Sequence, residues 1–136
     1  MAAHEDNDMI DVTEYYMGRD KLFPLDFTQQ IQINAAIIVA KVNQLLQVSG
    51  FSRRVVSGWR PPTVNASTPG AAPLSNHMRA LACDLEDKDG QLDAWCLANL
   101  DKLEEIGLWL EDPVSTIGWC HVQCVAPHSG NRVFKR

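Results

Sequence analysis

Ser75-Asn76-His77-Met78-Arg79-Ala80-Leu81-Ala82-Cys83-Asp84-Leu85 is the segment from which the rest of the chain can be placed. In its second half Leu81, Cys83 and Leu85 alternate with Ala80, Ala82 and Asp84. A period of two marks a half-buried strand, which sends the apolar set to a core and Asp84 to the opposite face. His77 lies too far upstream to share a regular strand position with Asp84. A loop or turn must therefore fold it back over that face, and the small side chains of Ala80 and Ala82 leave room for it.

A second stretch, Trp119-Cys120-His121-Val122-Gln123-Cys124, repeats the pattern. As a strand it turns Cys120, Val122 and Cys124 to the core and Trp119, His121 and Gln123 to the face that carries Asp84. His77, Asp84 and His121 then supply two imidazoles and one carboxylate, borderline and hard donors that suit zinc. Three protein ligands leave a fourth position open, as catalytic rather than structural zinc sites do. The expectation is one Zn2+ per chain. Parity keeps the cysteines away from it. Cys83, Cys96, Cys120 and Cys124 read as reduced, mainly core residues. A structural zinc at Cys120, Cys124 and a neighbour is the alternative, although no second cysteine pair matches theirs.

Upstream of these stretches stands Ser57-Gly58-Trp59-Arg60-Pro61-Pro62. Together with Ser75-x-His77, Ala82-x-Asp84 and Trp119-x-His121, it resembles the zinc D-Ala-D-Ala carboxypeptidases and peptidoglycan endopeptidases of peptidase family M15, whose fold is shared with the hedgehog signalling domain. The likeness runs from about residue 57 to residue 123. It implies metal-assisted amide hydrolysis on peptidoglycan stem peptides that contain D-amino acids. The matching arginine, Arg60, would lie beside the metal, where a fixed cation holds a substrate carbonyl or carboxylate and stabilises developing negative charge. Ser75, Trp119 and Gln123 are the candidate substrate contacts, with Asn65 as a further residue of the cleft.

Two positions depart from the family pattern. Ala80 stands where glycine is usual, and Gly118 stands three residues before the last ligand, where members often carry a catalytic Glu, Asp or His. Hydrolysis needs a group to take a proton from water and return one to the leaving amine. The nearest acids upstream of His121 are Glu111 and Asp112. Parity puts Glu111 with Trp109, opposite Leu108 and Leu110, whereas Asp112 adjoins Pro113, where regular strand ends. Gly118 also keeps open a zinc fold without turnover: a cell-wall or protein-binding module, or a phage structural protein.

The remaining chain reads as cover for the sheet. Residues 26–48 carry Ile31, Ala35, Ile38, Val42 and Leu45 at helical spacing, with Asp26 or Thr28 as N-cap and Gly50 as stop. Residues 91–106 form a second helix with Leu92, Cys96, Leu100 and Leu103 inward and with Asp93, Asp101, Glu104 and Glu105 solvated. Residues 12–21 give a short helical turn, Val55-Val56 a short strand, residues 63–74 a surface loop, and residues 108–112 a strand paired antiparallel with that of His121. Residues 1–11 and the basic end, about 130–136, are expected to be flexible, and His4 and His128 are not expected to bind metal. The fold expected is a single α+β domain over residues 1–136. Two helices cover one face of a small, mainly antiparallel sheet, and the zinc groove lies on the other, a hedgehog/DD-peptidase-like arrangement.

A net charge of −5 over 136 residues leaves no basic stripe for phosphates, which argues against nucleic acid. The N-terminus is acidic and no apolar signal core follows, so the expectation is synthesis in the cytoplasm without a signal peptide. The longest apolar run, residues 35–40, is far short of the roughly 20 residues that span a bilayer, and a monomer without membrane insertion is expected. Reaching a cell wall would then require another route, such as membrane permeabilisation during phage lysis or delivery within a phage particle.

Overall fold

The computed structural model describes residues 9–135. Along the chain come α1 (Val12–Tyr16), α2 (Arg19–Leu22), α3 (Gln29–Ser49), β1 (Val55–Ser57), α4 (Pro62–Ser67), β2 (Ala82–Asp87), α5 (Gln91–Ala98), α6 (Leu100–Ile106), β3 (Trp109–Glu111), β4 (Gly118–Gln123) and β5 (Val133–Phe134). Thr28 starts α3, its hydroxyl accepting from the Ile31 N–H at 3.3 Å, and Gly50 ends it in the left-handed region at φ 78°. Between those caps Ala35, Ile38, Val39, Val42, Leu45 and Leu46 form a buried stripe. By length and composition α3 meets the measure of a membrane-crossing helix; its buried stripe gives it the role of a core helix.

The five strands form one sheet in the order β1-β2-β4-β3-β5, antiparallel except for the β3–β5 pair. Cys83, Leu85, Leu110, Cys120 and Val122 face a single core with α3 and with Leu92, Cys96 and Leu103 of α5 and α6. The fold is therefore α+β, with helices on one face of the sheet. Alternation in β2 and β4 places the cysteines as expected. All four are free thiols; Cys124, just past the end of β4, is only half-buried.

Several expectations are corrected. The second helix breaks at Asn99 (φ −134°, ψ 44°), whose side chain donates to the Trp95 carbonyl at 2.8 Å; asparagine offers the backbone such a competing bond. The supposed loop 63–74 begins with α4, in which Pro62 supplies a pre-set φ in the first turn. The C-terminal segment is an edge strand. Leu110 and Glu111 pair with Val133 and Phe134, while Arg132 donates to the Leu108 carbonyl at 2.9 Å and lies over the Trp109 ring. At the other end Ile10 is buried, and its peptide groups exchange 2.9 Å bonds with the Asn43 amide. Residues 1–8 with His4, also expected to be flexible, and Arg136 at the other end lie outside the described residues.

Asp93 is not on the solvated face but buried beside Thr116, whose hydroxyl donates to it at 3.3 Å. The cause is local. Asp87 caps α5, accepting from the Leu92 and Asp93 N–H groups at 2.9 Å each, and this seats the first turn against the sheet. Burial pushes the Asp93 carboxyl up to about 6, against the lowering effect of hydrogen bonds from Cys120 and Thr116. A carboxyl that titrates near 6 folded and near 3.9 unfolded favours folding in its protonated form. That contribution is full below about pH 4 and is lost as pH rises through about 6. Asp93→Asn is therefore expected to gain on the parent by about 2 kcal/mol between pH 4 and 7. Urea unfolding at the two pH values measures the gain, and an unchanged gap between the two proteins contradicts it.

Candidate metal centre

Asp84 of β2 and His121 of β4 are directly opposed in the antiparallel register, and both project from the face away from the helices. The fold-back of His77 is a 3-10 turn over Asn76–Arg79. Ser75 caps it, its hydroxyl accepting from the His77 N–H at 3.2 Å, and Ala80 ends it at φ 57°, ψ 40°. This left-handed conformation costs an L-residue about 1 kcal/mol, so Ala80 adopts the geometry in which glycine is at ease. The turn closes through Leu81 N–H to the Asn76 carbonyl at 3.0 Å.

The result is a compact group. Asp84 Oδ1 lies 2.8 Å from His121 Nδ1 and Asp84 Oδ2 lies 3.2 Å from His77 Nε2, with the two rings 5.2 Å apart. One donor atom from each of the three residues lies within 4.8 Å of the others, and all three residues are buried, so the group can hold a metal ion. The outward nitrogens also face acceptors. His77 Nδ1 donates to the Gly58 carbonyl at 2.8 Å, and His121 Nε2 lies 3.0 Å from Gln123 Oε1. A neutral imidazole carries one proton. If the outward oxygens take it, each inward nitrogen turns a lone pair towards a carboxylate oxygen, and only positive charge between them, a proton or a metal ion, relieves the contact. The donor set thus fits a cation.

Electrostatics follow the same division. Burial lowers the pKa of His77, and Asp84 only partly opposes this. Burial would also lower that of His121, but hydrogen bonding and charge from Asp84 outweigh it and hold it above the ordinary value. Burial raises Asp84, and the two histidines together overcome that and leave it well below the usual carboxylate range.

A cleft of about 380 Å³ opens over the group. Arg60 and Ser75 form one wall: the Arg60 N–H donates to the His77 carbonyl, and its guanidinium donates to the Ser75 hydroxyl, each at 3.1 Å. Glu111, buried on β3, brings Oε1 to 3.9 Å from His121 Nδ1. Trp119 and Gln123 also border the cleft. Asp112 does not; its carboxylate accepts from the Val114 N–H at 3.0 Å and caps the 3-10 turn Pro113–Ser115. Asn65 is likewise absent from the cleft wall, its amide donating to the Ala72 carbonyl at 2.9 Å. Gly118 opens β4 at φ +100°, a conformation that favours glycine over a residue with a side chain.

Sequence reasoning missed Phe134, whose ring meets that of His121 edge-on at 6.0 Å, and Lys135 and His128, which border the cleft. Nothing local in a basic terminal segment signals such a role. It also missed the support that Gly58 gives His77, although Gly58 belongs to the quoted Ser57–Arg60 segment.

No protein-family model, no curated protein and no solved structure matches this chain.

Proposed function

We propose that the chain is a zinc peptidase of the M15 type that cleaves peptide bonds in peptidoglycan stem peptides, as a D-Ala-D-Ala carboxypeptidase or endopeptidase. The observation that carries this reading is the convergence of His77 Nε2, His121 Nδ1 and the Asp84 carboxylate at the foot of an open cleft, with the Glu111 carboxylate 3.9 Å from His121. His77, Asp84 and His121 hold the metal. When bound, zinc supplies Lewis-acid activation of water and of a scissile carbonyl.

The chain's own groups do the rest. Glu111 Oε1 takes the proton of the attacking water and passes one to the leaving amine. Arg60, steadied by Ser75 and by its backbone bond to the His77 carbonyl, donates to the substrate's carbonyl or carboxylate oxygen. Trp119 lines the approach of the peptide. Glu111 on β3 serves where Gly118 carries no acid.

Zinc analysis and hydrolysis test this together. The purified protein is expected to hold about one zinc per chain and to release fragments from purified peptidoglycan that mass spectrometry identifies. His77→Ala, Asp84→Ala and His121→Ala should each lower zinc content sharply. Full zinc in His121→Ala sinks the assignment, while zinc without fragments from the parent protein leaves a binding module.

A further inference from the structure

We infer that Gln123 is a positioning residue, one that fixes the His121 ring with Nδ1, not Nε2, presented to the metal. The inference rests on the metal-centre reading above and adds to it which atom binds and what holds it there. The sequence points Gln123 into the cleft as a substrate contact, but its amide is already engaged. Its Nε2 donates to the Val125 carbonyl at 2.9 Å, so the atom left facing His121, 3.0 Å from the ring, is the oxygen. An amide oxygen only accepts, and it therefore fixes His121 as the Nε2–H donor and leaves Nδ1 to face Asp84 Oδ1 at 2.8 Å.

The arrangement mirrors that of His77, whose outward nitrogen is held by the Gly58 carbonyl. There the support is a backbone carbonyl; at His121 it is a side chain, which a single substitution removes directly. Gln123 is only 3% exposed and lies two residues beyond His121 on the same face of β4, while Phe134 closes against the ring. An acceptor on the outer nitrogen orients a ligating imidazole and raises its basicity, and losing such a partner typically costs 10- to 100-fold in metal affinity.

The test compares the parent with Gln123→Met, which keeps the bulk and lacks the acceptor, and Gln123→Glu, which restores an acceptor. Zinc affinity is expected to fall about 10- to 100-fold in Gln123→Met and to recover most of that loss in Gln123→Glu, with similar thermal unfolding of the metal-free proteins. In cadmium-loaded, isotope-labelled parent protein, metal–nitrogen coupling should appear at His121 Nδ1. Coupling at Nε2 overturns the inference, as does parent-like affinity in a folded Gln123→Met. If the parent takes up no metal, the zinc reading fails by itself. The hold of Gln123 on the ring is then read from the metal-free protein: an Nε2–H resonance protected in the parent and lost to exchange in Gln123→Met sustains that hold, and equal behaviour overturns it.

Discussion

Glu111→Gln is expected to keep the fold and the metal while losing hydrolysis by about 10²-fold or more. The substitution preserves shape at a position that is only 4% exposed, paired with Phe134 of β5 in a strand that lies between β4 and β5. Neither the core face of β3 nor the three proposed ligands is touched. What changes is the ability to accept a proton beside His121, where the carboxylate oxygen stands 3.9 Å from Nδ1. The loss should appear in kcat with little change in KM, because a general base acts on the transition state rather than on the bound substrate. Zinc content measured on the same samples separates a lost base from a lost metal. Asp112→Asn is the matched control: that carboxylate caps a turn away from the cleft, so turnover should persist. Unchanged turnover in Glu111→Gln would remove the base from Glu111.

The centre was legible in the sequence where one rule governs a whole element. In β2 and β4 Cys83, Leu85, Cys120 and Val122 fall on alternate positions, so parity alone set Asp84 and His121 on one face, and the observed register makes them direct partners. Parity in β3 also favoured Glu111 over Asp112, and the turn after Pro113 gives the second acid its own use as a cap. Legibility ended where a residue's place depends on contacts distant in sequence. β5 is two residues long, and its parallel pairing with β3 joins positions more than twenty residues apart, so a basic tail hid Phe134. Asp93 reads as an ordinary first-turn acid, because the sequence does not show that Asp87 seats that turn against Thr116. Gln123 shares a face with His121, as parity requires, but parity cannot say that its amide turns to the ring instead of to a ligand.

Gly58→Ala is expected to destabilise the fold by about 3 kcal/mol and to weaken zinc binding as well. A Cβ at Gly58 would stand 1.9 Å from the Tyr15 carbonyl oxygen, 2.8 Å from its carbon and 2.9 Å from the Tyr15 ring. Two of those atoms are backbone, and α1 cannot retreat cheaply: Tyr15 is fully buried, its hydroxyl donates to the Ala82 carbonyl at 2.7 Å, and its carbonyl accepts from the Trp59 N–H at 3.2 Å. The strain must therefore move the chain at residue 58, whose carbonyl is the acceptor for His77 Nδ1. Displacing that oxygen frees the ring to turn, and a tenfold or greater loss of zinc affinity follows from the lost support. Stability and affinity are separable by combining the change with Asp93→Asn, which acts beside Thr116 in the first turn of α5 and should restore about 2 kcal/mol near neutral pH. The double variant is expected to regain most of its resistance to urea while its zinc affinity stays low. Full recovery of affinity along with stability would show that Gly58 supports the fold and not the His77 ring, and parent-like stability in Gly58→Ala would remove the close approach to Tyr15 altogether.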